Sequence, residues 1–164
     1  MAGSSRPKNA QGPVCGRRGA TVVELITLVV LLAILVAIAI PNMSPVVLNY
    51  RLRGAAWQLG GDLRLARQRA VTLRKRFRVC VSSCAITVPT GAYSVEREDG
   101  SFVSVTGTAI KLPQDVTVSA TATATFSISG AAGGSTFTLT NVIGTYQISV
   151  SSTGEVKVCQ GSCS

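Results

Sequence analysis

Residues 17–41 read RRGATVVELITLVVLLAILVAIAIP, and this stretch decides the fold. Between Ala20 and Ile40 the chain is apolar except for a single carboxylate, Glu24. About 20 helical residues, at a rise of about 1.5 Å each, match a hydrocarbon core roughly 30 Å thick. A charge inside such a helix costs about 2.5–3.5 kcal/mol near the centre and less near an end. We therefore expect Glu24 to have a specific use.

The basic residues before this run predict its orientation. Arg6, Lys8, Arg17 and Arg18 precede it, so the positive-inside rule places the N-terminus in the cytoplasm and the rest outside it. Residues 1–19 have no apolar core of their own, unlike an ordinary secretory signal. The expected organisation is a leader over 1–19, a transmembrane half-helix over 20–41, an amphipathic half-helix over 42–75 and an extracytoplasmic β-domain over 76–164.

A helical pattern resumes after Pro41. Apolar residues recur every three or four positions from Leu48 to Leu73, which predicts one buried stripe on a helix. We expect a single helix from about Thr21 to Leu73, bent or loosened at Pro41, because proline removes a backbone donor. The charged residues off the stripe are expected to face solvent, or alternatively an acidic partner or nucleic acid: Arg51, Arg53, Asp62, Arg64, Arg67, Arg69 and Arg74.

The period changes from helical to alternating after Arg76. The predicted strands are Phe77–Val81, Ala85–Val88, Tyr93–Glu98, Phe102–Val105, Val116–Ala120, Thr123–Ser129, Thr136–Thr140, Thr145–Ser151 and Glu155–Cys159. Residues 117–136, rich in Thr, Ser, Ala and Gly, are expected to form a weakly structured hairpin or loop. The fold class is α+β: a long N-terminal transmembrane helix followed by a small antiparallel sheet or sandwich.

Four of the five cysteines follow the apolar run, as the spaced pairs Cys80/Cys84 and Cys159/Cys163. Thiols beyond a membrane helix suggest disulfides in an oxidising compartment. Two local loops are the simplest pairing, and cross-pairing of the first strand with the C-terminus stays open. A structural zinc site is the remaining alternative, although the spacing is unusual for zinc ribbons.

The segment from Gly19 to Glu24, followed by an apolar helix, resembles the class III, prepilin-type signal. The resemblance implies that a prepilin peptidase cuts after Gly19 and methylates the new N-terminus at Ala20, where the family usually has phenylalanine. Glu24 would be the family's fifth-position glutamate and Pro41 its helix-loosening proline. The amine of Ala20 in a neighbouring subunit could then pair with Glu24, since burying either charge alone is expensive. The plain alternative is a signal anchor whose Glu24 snorkels to the interface.

Two further segments narrow the resemblance to the GspH/FimT family, the H-type minor pseudopilins and FimT-like minor pilins. Residues 63–70 fit the signature L..AR..A, and Ile148 to Cys159 looks like the family's closing hairpin. The family implies a pilin-like fold and assembly with other pilins on an inner-membrane platform. It implies insertion in the bacterial inner membrane, with a periplasmic C-terminal domain, before entry into a filament. Type IV pilus, type II secretion and competence systems all remain open.

DNA uptake is the second functional class. Some FimT-like proteins bind DNA through a Gly-Arg-x-Arg motif, and this chain has Gly154-Glu155-Val156-Lys157 in its place. An acidic residue there repels phosphate, so that route is disfavoured. The candidate DNA contacts are Lys157, Arg74, Lys75 and Arg76.

Enzymatic function is the third class, and the composition argues against it. The chain has no histidine, which removes the commonest general base and the commonest zinc ligand. Asp99, Asp115 and Glu155 form no recognisable acid pair. We expect no catalytic residue, no cofactor and no bound metal.

Overall fold

The computed structural model describes residues 21–39 and 44–163. It contains two compact units, the first ending at Pro41 and the second beginning at Asn42. The leader, the cleavage and methylation positions Gly19 and Ala20, and the expected kink at Pro41 lie outside the described residues. A single helix that continues through Pro41 therefore stays a prediction, because the described residues do not test it.

The first unit contains one helix, α1, which spans Val22–Ala39. Its sequence is apolar on every side, and Glu24 in its first turn is its only charged residue. No helix in the described ranges is both long enough and apolar enough to cross a membrane. Ala20 and Ile40, which bound the span expected from the sequence, lie outside those ranges.

The second unit begins with α2, which spans Ser44–Leu73. Most of the predicted stripe is buried, namely Leu52, Ala56, Leu59, Leu63, Ala66 and Ala70, and the buried face also includes Ala55 and Gly60. Leu48, at the start of the predicted stripe, is partly buried. Leu73, at the end of the predicted stripe, is instead half exposed. The buried face packs against strands of both sheets. Burial of each leucine side chain on this face stabilises the fold by about 1.5–3 kcal/mol.

Nine short strands follow α2 in the described residues. They are β1 Phe77–Cys80, β2 Ala92–Asp99, β3 Ser101–Ser104, β4 Ile110–Lys111, β5 Thr117–Ala120, β6 Ala124–Phe126, β7 Ser135–Thr140, β8 Thr145–Val150 and β9 Val156–Gln160. One sheet has the order β3-β2-β1-β6, with β4 paired to the other end of β2. The second sheet has the order β5-β7-β8-β9, and the pairings in both sheets are antiparallel. This confirms the α+β class.

One strand prediction and one loop prediction are wrong. Residues 85–88 form a loop rather than a strand, because the Ala85 amide donates to the Glu96 side chain at 2.6 Å instead of to a ladder. Residues 117–136 are not a weakly structured hairpin: β5 pairs with β7 in one sheet, while β6 pairs with β1 in the other. The side chains of Val118 and Phe126 are both buried, so this segment contributes to the core.

The core lies between α2 and the two sheets. Its largest apolar side chains are the aromatic residues Tyr93, Phe77, Phe126 and Phe137. The buried hydroxyl of Tyr93 donates to Asp62 of α2 at 2.5 Å, which satisfies a polar group that would otherwise be costly to bury. Burial is the main cause that raises the pKa of Tyr93, and the hydrogen bond to Asp62 adds to it.

Candidate assembly surface

The start of α1 is fixed by Thr21. Its hydroxyl accepts a hydrogen bond from the Glu24 amide at 3.3 Å, and its carbonyl accepts one from Leu25 at 3.1 Å. Thr21 and Glu24 thus have the spacing of a capping box, in which the threonine caps the helix and the glutamate sits in the first turn. A carboxylate there also interacts favourably with the helix dipole. The observed hydrogen bond uses the backbone amide of Glu24, so the carboxylate itself contributes to the helix start only through its position in the first turn.

The apolar side chains of α1 are exposed along its whole described length. The large ones between Val22 and Val36 are each 52–76 % exposed. A helix that is hydrophobic all round belongs in a membrane or in the interior of a larger assembly. The described residues of α1 therefore present an extended apolar surface that lipid or other helices could cover.

A second, narrower surface lies on α2, and we call it the outward stripe: Tyr50, Gly54, Trp57 and Gly61. Spacings of four, three and four residues place these on one face of the helix. That face lies opposite the core, because Trp57 and Gly61 are each two residues, or about 200°, from the buried Leu59 and Leu63. Tyr50 is 72 % exposed and Trp57, the only tryptophan of the chain, is 51 % exposed.

The two glycines of the outward stripe are not required by the packing of the domain. A Cβ added at Gly54 or Gly61 would meet no atom within 4 Å, whereas one at Gly60 would lie 2.8 Å from Cγ2 of Val158. An exposed glycine in a helix costs about 0.8–1 kcal/mol relative to alanine. The outward stripe therefore combines exposed aromatic area with a backbone that another helix can approach closely. The outward stripe was not predicted from the sequence. Two aromatic residues seven positions apart, with a glycine four positions after each, could have indicated it.

Arg64 and Arg67 are exposed, as the sequence predicted, yet both also bind the backbone of the β-domain. Arg67, the arginine of the L..AR..A signature, donates from Nε to the carbonyl of Gly130 and from Nη2 to that of Thr153, each at 3.1 Å. Arg64 donates to the carbonyl of Val156 at 3.2 Å. These bonds join α2 to the β6–β7 loop and to the β8–β9 turn.

Gly154, the first residue of the segment that replaces the DNA-binding motif, completes this junction. Its φ is +78°, and a Cβ there would meet the Gly130 carbonyl oxygen at 2.0 Å and Nε of Arg67 at 2.9 Å. Only glycine fits such a left-handed and crowded position without strain. Gly154 is thus explained by packing against the arginine of the signature.

The candidate DNA contacts do not form one free cationic surface. Lys75 pairs with Asp99 at 2.5 Å, and Arg76 binds Glu98 with a distance of 2.6 Å from Nε to Oε2. The hydrogen bond from Arg76 lowers the pKa of the Glu98 carboxyl, and the hydrogen bond from Lys75 lowers the pKa of Asp99. The remaining candidates are separated: Arg74 precedes β1 of one sheet, whereas Lys157 lies on β9 of the other.

The cysteines form two local disulfides, Cys80–Cys84 and Cys159–Cys163, with Cα–Cα distances of 5.8 and 5.4 Å. The Sγ atoms of the first pair lie within 4.8 Å of a carboxylate oxygen of the fully buried Glu96. That carboxylate instead binds Nε of Arg78 at 2.5 Å and the Ala85 amide at 2.6 Å. Because a disulfide offers no thiolate, this cluster supports the loop that carries Cys84 rather than a metal.

Comparison with known proteins places the chain in a family. The family model described as type II transport protein GspH matches residues 55–154, which include most of α2, the strands β1 to β8 and the junction between Arg67 and Gly154. The chain belongs to the GspH family. No curated protein matches this GspH-family sequence.

Two solved structures are similar to this GspH-family chain. The minor pseudopilin EpsH from the type 2 secretion system of Vibrio cholerae has a TM-score of 0.56 at 12 % identity, over 70 % of this chain and 99 % of EpsH. The type IV minor pilin FimU of Pseudomonas aeruginosa has a TM-score of 0.47 at 19 % identity, over 67 % of this chain and 89 % of FimU. The similarity to EpsH establishes a pilin-like α+β fold.

Proposed function

We propose that this protein is a structural minor pilin or pseudopilin, which assembles through its N-terminal helix into a type IV pilus or a type II secretion pseudopilus. One observation carries the proposal. In a chain of the GspH family, an apolar helix whose large side chains are more than half exposed begins with a single carboxylate, Glu24. That helix has the chemistry of a segment that passes from lipid into a helical filament core.

Processing prepares this helix for assembly. A prepilin peptidase would cut after Gly19 and methylate Ala20, which leaves a cationic amine four residues before Glu24. In the filament, a neighbouring subunit displaced along the axis offers its amine to this carboxylate. Because either charge alone is costly in an apolar core, the pair favours one register between adjacent helices. Apolar packing supplies the attraction and the charge pair selects the position.

The outward stripe extends the same contact into α2. Gly54 and Gly61 let a neighbouring helix approach the backbone, and Trp57 provides a large apolar contact area. Small residues beside a large aromatic side chain are a common arrangement where helices meet closely. The β-domain, held to α2 by Arg67, would then face outward from the filament.

The location follows from this assignment. Before assembly the subunit resides in the bacterial inner membrane, with a cytoplasmic N-terminus and a periplasmic β-domain that carries the disulfides. Its partners are other pilins, the prepilin peptidase and the inner-membrane assembly platform. The domain serves as a structural element and not as a catalyst.

The decisive experiment separates the charge of Glu24 from any contribution that its side chain makes to the helix start. Glu24→Gln keeps a capping-box residue and removes the charge, whereas Glu24→Ala removes both. With a prepilin peptidase co-expressed, intact mass should show loss of residues 1–19 and gain of one methyl group in both variants. Both variants should then fail to enter filaments sheared from cells that carry the cognate system.

Two results would contradict the proposal. A wild-type chain that retains residues 1–19 in the presence of active peptidase would remove the assignment as a processed pilin. Normal filament incorporation of Glu24→Gln, together with loss in Glu24→Ala, would show that Glu24 acts through the helix start and not through charge pairing.

A further inference from the structure

The β7–β8 turn presents an unusual pair of apolar side chains. Val142 is 87 % exposed, the largest fraction of any large apolar residue in the described ranges, and its neighbour Ile143 is 43 % exposed. Buried or half-buried valine and isoleucine are the rule, because their exposure in water is unfavourable. Two such residues at the end of a turn therefore suggest contact with something other than water.

Asn141 holds this turn in place. Its Oδ1 accepts hydrogen bonds from the amides of Ile143 at 2.9 Å and Gly144 at 3.1 Å, and its Nδ2 donates to the carbonyl of Leu48 at 3.0 Å. The first two bonds fix the turn, and the third attaches it to the second turn of α2. The exposure of Val142 thus belongs to an ordered and anchored turn.

More apolar surface lies on the same end of the domain. Val46 and Val47, on the first turn of α2, are 48 % and 42 % exposed. Together with Val142 and Ile143 they form what we call the apolar tip. Tyr50, 72 % exposed, lies next to it on α2, followed along the chain by Arg51 and Arg53, both exposed.

Val46 and Val47 of the apolar tip are also close to α1 along the chain. Only four residues separate Ala39 at the end of α1 from Ser44 at the start of α2. The first turn of α2, which carries Val46 and Val47, therefore follows α1 closely along the chain.

We propose that the apolar tip rests in the headgroup region of the membrane that anchors α1, and so holds the β-domain on the lipid surface before assembly. This inference rests on the proposed function, because it requires α1 to be anchored in that membrane. Aliphatic side chains flanked by tyrosine and arginine have the composition found at membrane interfaces. Arg53 also favours anionic lipid, whereas Arg51 pairs with Asp115 at 3.2 Å.

Lipid fits the tip better than a second protein helix does. Val142 and Ile143 protrude from a turn, whereas a helix is received by a groove or a flat stripe with small residues. The outward stripe, which has those small residues, begins at Tyr50 and runs away from the tip along α2. The tip can therefore contact lipid while the stripe remains free for a neighbouring subunit.

Lipid-dependent quenching of a single tryptophan tests the proposal in the full chain. Trp57→Phe removes the only native tryptophan, and Val142→Trp then places the reporter on the tip. The chain is reconstituted in vesicles of phosphatidylethanolamine and phosphatidylglycerol, with or without lipid brominated at a shallow acyl position. Matched reporters are Ile128→Trp, on the exposed turn after β6, and Leu31→Trp in α1.

The proposal expects brominated lipid to quench the Val142→Trp variant and to leave the Ile128→Trp variant unquenched, with a blue-shifted emission only for the first. Quenching of Leu31→Trp without quenching of Val142→Trp would overturn the tip contact and leave the proposed function intact. Equal quenching of Ile128→Trp would show non-specific adhesion and also overturn it. Failure to quench Leu31→Trp would remove the membrane anchor, and both proposals would fall.

Discussion

The adjacent glycines Gly60 and Gly61 of α2 provide a matched pair for testing the outward stripe. Alanine is favoured over glycine by about 0.8–1 kcal/mol in a helix, and a Cβ at Gly61 meets no atom within 4 Å. Gly61→Ala should therefore raise the free energy of unfolding by about 1 kcal/mol. Gly60→Ala gains the same helix propensity, but its Cβ would lie 2.8 Å from Cγ2 of Val158. Overpacking costs about 1–3 kcal/mol, so we expect a net loss of up to about 2 kcal/mol.

Urea unfolding of the full chain in detergent, followed by Trp57 fluorescence and circular dichroism, measures both free energies. Assembly is tested with Gly61→Leu, which keeps helix propensity but fills the space that a neighbouring helix would need. We expect this variant to fold and to be lost from filaments, whereas Gly133→Leu adds the same bulk at another open position and should assemble normally. Destabilisation by Gly61→Ala, or normal assembly of Gly61→Leu, would refute the assignment of the outward stripe.

Two further predictions concern stability. Gly154→Ala should lower the free energy of unfolding by about 2–4 kcal/mol, because the left-handed penalty of about 1–2 kcal/mol adds to a clash with Gly130. Gly161 has the same φ of +78° but open space around it, so Gly161→Ala should lower the free energy of unfolding by the left-handed penalty alone. The lowered pKa values of Glu98 and Asp99 mean that their pairing stabilises the fold above the ordinary values of 4.5 and 3.8 and is lost as pH falls below them. Acid titration of unfolding should show this loss, and Glu98→Gln with Asp99→Asn should reduce its slope.

The sequence predicts the helical part of the fold well, because the relevant signal is local. The recurrence of apolar residues from Leu48 to Leu73 requires only a period of 3.6, and the buried face of α2 follows it closely. Alternation likewise locates most strands. Periodicity does not tell which sheet a strand joins. Three residues separate β5 from β6, yet the two strands belong to different sheets, because β5 pairs with β7 whereas β6 pairs with β1, much earlier in the chain.

The candidate site was only partly accessible to sequence reasoning, for a different reason. Glu24 is conspicuous because a charge is rare in an apolar run, but its place in the first turn, where Thr21 caps the helix, depends on where the helix begins. The outward stripe contains no unusual residue type, and it is recognised only once the other side of α2 is known to be buried. The anchored turn at Val142 depends on a contact between Asn141 and Leu48, which are 93 residues apart.

Positions where the chain departs from what its own fold prefers are the best guide to its intermolecular contacts. Gly60 and Gly61 show the distinction: the first makes room for Val158 inside the molecule, whereas the second weakens the helix with no contact in the described structure that requires it. Val142 is exposed although its turn is well ordered. Glu24 places a charge in a helix that would be more apolar without it. Gly61 and Val142 are unfavourable in the isolated subunit and become favourable beside a neighbouring helix or lipid, whereas the charge of Glu24 is costly in an apolar environment until an amine of a neighbouring subunit pairs with it.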